Sequence, residues 1–252
     1  MQKYFITKEN LLKQVIVGDD AYQISTVLRF KGGETVMVSD SEKSYLAKVK
    51  NISKDEVSFE ILEEKTGNME LPVFVSIFQG YPKGDKMEEI IKHGTELGAK
   101  EIVPTFMKRS IVKLEEKKIQ SKLDRFRKIA KEAAEQSFRN QIPSIPSIPR
   151  LKTIDFSSFD IKIVCYEESA KNGELKAFKT LISNLTPGKR VAVLVGPEGG
   201  IDDDELTYLK DKGFIPCALG PRILRTETAV FYILSSISYE MELKKWKLAL
   251  SH

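Results

Sequence analysis

The stretch LVGPEGGIDDDEL, Leu194 to Leu206, decides the fold. An apolar run ends in Gly-Pro-Glu-Gly-Gly and a helix start follows at once, so the chain turns tightly at the carboxyl end of a buried strand. Glycines there permit positive φ and let backbone N–H and C=O groups approach a ligand. Open α/β sheets bind ligands at that end of their strands. Neither the G-x-G-x-x-G spacing nor a P-loop pattern occurs, which excludes a Rossmann dinucleotide site and a nucleotide-dependent ATPase of P-loop type. Asp202, Asp203 and Asp204 cap the next helix and repel phosphate. The turn therefore suits an uncharged or zwitterionic ligand, unless it is simply a tight connection.

CALGPRILRTETA, Cys217 to Ala229, repeats the arrangement one unit later: an apolar strand, Leu-Gly-Pro, two arginines, then Thr-Glu-Thr opening the last helix. Two such strand ends make a crevice with Arg222, Arg225 and Glu227 at its rim. Glu227 reads equally as a first-turn helix stabiliser, and Arg222 as a surface residue.

Outward from these loops, the period of the apolar residues divides the chain. ETVMVSD, SYLAKVKNIS and EVSFEILEE alternate polar and apolar positions between turn signals, which predicts a small antiparallel barrel or sheet, preceded by a short helix in GDDAYQISTVLRF. From Leu71 the pattern changes to strands LPVFVSIFQ, KEIVPTF, IKIVCYE, RVAVLVG and GFIPCALG. Between them lie helices KGDKMEEIIKHGTELG, a long one near KKIQSKLDRFRKIAKEAAEQSFRNQ, GELKAFKTLISNL and DDDELTYLKDKG. The proline series IPSIPSIP ends the long helix, and a last helix runs from about Thr226 to Leu248. Alternating strands and helices imply a mostly parallel sheet covered on both faces. The expected fold is a β domain over residues 1–70 and an α/β domain over 71–252, with the boundary near Gly67 to Pro72.

The 252 residues are 41% hydrophobic and 30% charged, an ordinary globular composition. No apolar run is long enough to span a bilayer and the first residues lack a signal-peptide core, so a cytoplasmic location is expected. Cys165 and Cys217 sit in apolar strands as free thiols, and His93 and His252 do not make a metal cluster. Residues 71–150 carry 16 basic and 10 acidic groups, whereas the segments before and after are net −2 and neutral. That middle excess is a solvated helix face or a nucleic-acid contact.

GPEGG followed by LGPRILRTETA, with GYPKGDKMEEIIKHGTELGAKEIVPTFMKRS and EQSFRNQIP upstream, resembles the 16S ribosomal RNA uracil-N3 methyltransferase family, of the SPOUT (trefoil-knot) class. The resemblance covers nearly the whole chain. It implies an N-terminal PUA-like β-barrel that binds RNA, a knotted α/β methyltransferase domain, a homodimer, and S-adenosylmethionine as cofactor. Carried onto this sequence, the cofactor site comprises Leu194, Val195, Gly196, Glu198, Gly199 and Gly200, with Leu219, Gly220, Ile223, Leu224 and Thr228, and the loop after VCYEES as a third wall. Glu198 or Glu227 would offset the sulfonium charge.

Uracil N3 is a poor nucleophile while protonated, so the reaction needs its proton removed or the anion stabilised. Arg225 is the candidate for stabilising that anion or gripping the adjacent phosphate, and Glu227 is a candidate base or a helix cap. N3 lies on the pairing edge, so the target must be unpaired or flipped. Arg109, Arg139, Lys83, Lys86 and Arg222 are the expected RNA contacts, joined on the long helix by Arg125, Arg127, Lys128 and Lys131 where these are not helix surface or dimer contact. Lys83 and Lys86 read alternatively as an ordinary helix start. The acidic N-terminal domain would grip RNA through a local patch of Lys3, Arg29 and Lys31. The competing readings are a SPOUT enzyme acting on another RNA or atom, and a noncatalytic PUA-type RNA-binding factor.

Overall fold

The computed structural model describes residues 1–112, 115–171 and 176–244. The chain divides into two units, residues 1–70 with 131–142, and residues 71–130 with the remainder. The 131–142 segment joins the first unit through polar contacts that sequence periodicity does not report. Glu135 accepts the Phe5 N–H at 2.9 Å, the Asn140 side chain accepts the Met69 N–H at 2.8 Å, and Lys131 pairs with Asp20.

The first unit runs β1 (Gln2–Phe5), α1 (Lys8–Lys13), β2 (Val15–Val17), α2 (Asp19–Tyr22) extended by a π-helical turn to Val27, β3 (Thr35–Ser39), β4 (Ser44–Ile52) and β5 (Glu56–Lys65). Its curled sheet has the order β1-β3-β4-β5-β2. All pairs are antiparallel except β1 with β3, which is parallel, so the expectation of a purely antiparallel sheet is corrected at that edge. Alternate residues Val36 and Val38, Ala47 and Val49, and Val57 and Phe59 turn inward onto Tyr4, Ala21 and Ile24.

The second unit contains β6 (Phe74–Gly80), α3 (Lys86–Glu96), β7 (Glu101–Thr105), the first part of α4 (Glu116–Gln136), β8 (Ile161–Cys165), α5 (Glu168–Lys171), α6 (Ala177–Ser183), β9 (Arg190–Val195), α7 (Asp203–Asp211), β10 (Ile215–Cys217) and α8 (Thr226–Ser238), which continues as a π-helical turn to Lys244. The Gly173–Leu175 start expected for the sixth helix, residues 245–248 of the last one, and His252 lie outside the described residues. The sheet is entirely parallel, in the order β10-β8-β9-β6-β7. Val191–Val195 are buried without interruption, as both covered faces of a parallel sheet require.

One face packs Phe78, Val103, Val164, Ala192 and Leu194 on Leu206 and Leu209 of α7. There Phe156 meets Phe78 and Phe214 edge-on at ring distances of 5.0 and 4.8 Å, contacts worth about 0.5–1.5 kcal/mol each beyond area burial. The proline series after α4 lies along β7: Ser144 exchanges backbone hydrogen bonds with Lys100 and Ile102, and Phe106 donates to Pro149 O. Its prolines, at every third position, each remove an N–H donor from that edge, which makes it a poorer template for pairing with another chain.

Candidate active site

β10, β8 and β9 are neighbours in the sheet, so the loops leaving their carboxyl ends converge. They enclose a cavity of about 600 Å³. Tyr166 and Glu167 line it after β8, Gly196, Pro197, Glu198, Gly200 and Ile201 after β9, and Leu219 to Arg225 after β10, with Thr226 and Ala229 of α8. Val195 and the paired strand ends Cys165 and Cys217 complete the lining with Lys86 of α3. Burial pushes the Cys165 thiol well up from its ordinary pKa, so it stays neutral.

The loop after β9 is fixed from several directions. Thr226 Oγ1 donates to Gly196 O at 2.7 Å, and Arg109 Nη1 donates to Gly199 O at 3.2 Å. A Cβ on Gly199 would stand 3.1 Å from Arg109 Cβ and 3.2 Å from its carbonyl oxygen, and one on Gly80 would stand 2.5 Å from Pro197. The chain around Arg109 is anchored in turn: the Lys108 N–H donates to Glu205 at 2.8 Å, and its ammonium pairs with Asp202 at 2.8 Å and Asp204 at 3.1 Å. Asp202 caps α7 as expected, its side chain accepting the Asp204 N–H.

On the opposite wall, Lys86 lies 3.1 Å from Glu198 and 3.4 Å from Glu227. Its hydrogen bond to Glu198, reinforced by the charge of both carboxylates, holds the ammonium above the usual lysine range. Desolvation pushes the Glu198 carboxyl up, but backbone N–H groups of Glu198 and Lys83 and the Lys86 ammonium outweigh it and hold Glu198 below its ordinary value. A cavity walled by backbone loops, with lysine and arginine at its margins rather than a forked cluster at its centre, accepts a ligand without a polyphosphate.

A family model for the RNA methyltransferase domain matches residues 69–238. The ribosomal RNA small subunit methyltransferase E of Bacillus subtilis is 43% identical over 252 aligned residues, covering 96% of this chain and 98% of its own length. The chain belongs to the ribosomal RNA small subunit methyltransferase E family. Among solved structures, the family member from Neisseria gonorrhoeae, bound to S-adenosylmethionine, is 27% identical with a TM-score of 0.81, over 94% of this chain and 97% of that one. A Legionella pneumophila protein in complex with the same cofactor is also 27% identical, with a TM-score of 0.82 over 94% and 96% of the two chains.

Within this methyltransferase fold, Val195, Gly196, Glu198, Gly200, Leu219, Gly220, Ile223 and Leu224 line one cavity, and so do Arg225, Arg222 and Lys86. Four others named from the sequence for cofactor binding or catalysis do not line it. Leu194 is fully buried in the core beneath α7, Gly199 backs onto Arg109, Thr228 faces outward from the first turn of α8, and Glu227 is buried behind Lys86. Glu227 is thus a partner of Lys86 rather than a group facing the cavity. Lys83 bonds the post-β9 loop through its main chain, its N–H donating to Glu198 at 3.1 Å.

The expected RNA contacts separate similarly. Arg139 is 2% exposed and pairs with Glu70, so it is a structural residue of the first unit and not a phosphate contact. Lys3 is equally buried, donating to Ser44 Oγ and Arg139 O, which leaves Arg29 and Lys31 exposed from the proposed patch. Arg125 pairs with Glu88, and Arg127 donates to the carbonyls of Ile145 and Pro146. Sequence reasoning missed Gln79 and Gly80. Both look like the end of an ordinary buried strand, and their contacts lie more than a hundred residues away.

Proposed function

We propose that this chain methylates N3 of a specific uridine in 16S ribosomal RNA of the small subunit, with S-adenosylmethionine as donor. The observation that carries the reading is the cavity at three adjacent strand ends, in a chain whose relatives of the same fold were solved with that cofactor. The fit is chemical as well as topological. The ligand has no phosphate, and the lining loops offer main-chain groups of Gly196, Gly200, Leu219 and Gly220 together with the carboxylates of Glu167 and Glu198. When bound, the cofactor supplies a methyl group made electrophilic by its sulfonium.

The chain's own work is to bind, align and stabilise charge. Arg225 ends the post-β10 loop, exposed at the cavity wall and adjoining α8. There its guanidinium faces the uracil anion or the neighbouring phosphate, and stabilisation of developing charge is the largest single contribution available to such a site. Alignment of N3 with the methyl group supplies the remainder, since holding two reactants in line removes much of the entropic barrier. Arg222 adds positive charge at the rim, and Arg29 and Lys31 of the curled N-terminal unit offer RNA contacts of their own.

The same reading includes a homodimer and a knotted C-terminal end. Tyr232, Tyr239 and Leu243, exposed along the last helical segment, supply apolar surface for a second copy. Titration with S-adenosylmethionine, then transfer of a labelled methyl group to unmodified small subunits and to free ribosomal RNA, tests the proposal. Binding with transfer to either substrate supports it, and the better substrate reveals whether assembly precedes modification. Binding without transfer removes the substrate, and absence of both returns the chain to a noncatalytic RNA-binding role.

A further inference from the structure

Three segments distant in sequence meet behind the cavity: residues 79–86, which end β6 and lead into α3, the loop after β9, and the start of α8. The first contributes only Lys86 to the cavity lining, yet it touches the other two repeatedly. Gly80 lies against Pro197 with no room for a Cβ, the Lys83 N–H donates to Glu198, and Lys86 pairs with both Glu198 and Glu227. Beneath these contacts lies a neutral one. The fully buried Gln79 donates through Nε2 to Thr226 Oγ1 at 2.7 Å and to Gly80 O at 2.8 Å, with Gly196 O at 3.4 Å. Thr226 in turn donates to Gly196 O at 2.7 Å.

The direction of this relay is fixed. Gly80 O and Gly196 O only accept, so the amide nitrogen must face them, and reversing the amide would set oxygen against oxygen. The consequence is that Gln79 Oε1 is buried without a hydrogen-bond partner among the described residues. An apolar side chain of the same shape would avoid that desolvation but would take the Nε2 donor away from Gly80 O and Thr226 Oγ1, so the amide is kept for what its nitrogen holds. The arrangement makes sense if the position of the two loops matters more than the local cost. Gly196 and Thr226 both line the cavity, whereas Gln79 does not, so it acts on the cavity through them.

We propose that Gln79 is a positioning residue: its amide, with the Thr226 hydroxyl, locks the loop after β9 to the start of α8 and so sets the cofactor cavity in its binding shape. The proposal rests on the reading of the cavity as a S-adenosylmethionine site. Residues 79–86 form the clasp, with the Lys86 ion pairs as its charged layer and the Gln79 relay as its neutral one.

The test measures S-adenosylmethionine affinity by calorimetry on the full chain, well below its melting temperature, for the wild type, Gln79→Met, Thr226→Val, Thr226→Ser and the Gln79→Met/Thr226→Val double variant. Because only folded protein is titrated, a loss of stability alone leaves Kd unmoved. Each of Gln79→Met and Thr226→Val is expected to weaken binding about tenfold, the effect of one net hydrogen bond. The double variant is expected to be no weaker than either single one, since the relay acts as a unit. Thr226→Ser, which keeps the hydroxyl, is expected to bind within about twofold of wild type. Wild-type affinity in both single variants overturns the proposal, as do losses that multiply in the double variant. If Gln79→Met does not fold, the Thr226 pair decides: loss with valine and recovery with serine supports the relay, and equal affinity in the two overturns it. A wild type that binds no S-adenosylmethionine instead refutes the cofactor reading beneath it.

Discussion

Replacing Gly80 with alanine probes how tightly the loop after β9 is held. The added Cβ would lie 2.5 Å from both Cδ and N of Pro197 and 2.9 Å from the carbonyl carbon of Gly196. Those atoms are a ring and main chain, so neither can rotate away as a flexible side chain would. Carbon atoms pack at about 3.5–4.0 Å, so the loop must retreat by roughly 1 Å. Forcing an extra group into a packed site costs about 1–3 kcal/mol, which lowers the melting temperature of a chain this size by roughly 2–10 °C. Activity suffers more, because a displacement of about 1 Å costs on the order of 100-fold where transfer depends on alignment. The assay compares kcat/KM for methyl transfer and thermal unfolding with those of Gly67→Ala, whose Cβ would meet only Met69 Cε at 3.8 Å. The control is expected to match wild type in both. Gly80→Ala with wild-type kcat/KM would refute the claim that close packing at this point sets the geometry of the site.

Arg225→Ala is expected to bind S-adenosylmethionine within about threefold of wild type but to transfer methyl about 100-fold more slowly; unchanged turnover in single-turnover assays removes Arg225 from the chemistry. Arg139→Ala removes the ion-pair partner of the Glu70 carboxylate, which is 14% exposed and keeps the N–H groups of Asn140 and Gln141, and is expected to cost about 3 kcal/mol in urea unfolding. The salt dependence of RNA binding should not change in that variant, and a flatter slope at full stability would restore Arg139 as a phosphate contact. Glu198 has a folded pKa below its ordinary 4.5, so its stabilising contribution is complete above that value and is lost as pH falls through the lower folded one. Melting curves of wild type and Glu198→Gln should therefore differ by a constant amount from neutral pH down to about 5 and converge in more acid solution; a gap that persists there contradicts the ion-pair assignment.

Where burial decides the pattern, the fold was legible. Val191 to Val195 read as a strand covered on both faces because each residue is apolar, and Gly-Pro turns after two such runs marked the strand ends that line the cavity. β1 and β2 escaped notice because four and three residues are too few to display a period of two. The parallel pairing of Gln2–Phe5 with Val36–Ser39 depends on partners far along the chain. The same distance hid the role of charge. Arg139 resembles a basic surface residue until Glu70, 69 positions earlier, closes over it. Gln79 looks like an unremarked strand residue until Thr226, 147 positions later, accepts its amide hydrogen. Motifs thus exposed the loops that line the cavity, whereas the side chains that hold those loops became visible only through tertiary contacts.

The most direct test of the central claim is the chemical identity of the methylated nucleoside. Unmodified small-subunit ribosomal RNA, presented free and in assembled subunits, is incubated with the protein and S-adenosylmethionine, digested, and resolved by mass spectrometry against nucleoside standards. The account predicts 3-methyluridine at one position and none with Arg225→Ala on the same time scale. A methyl group on another base or on a ribose oxygen would contradict it, leaving the fold and cofactor in place but assigning the cavity a different acceptor.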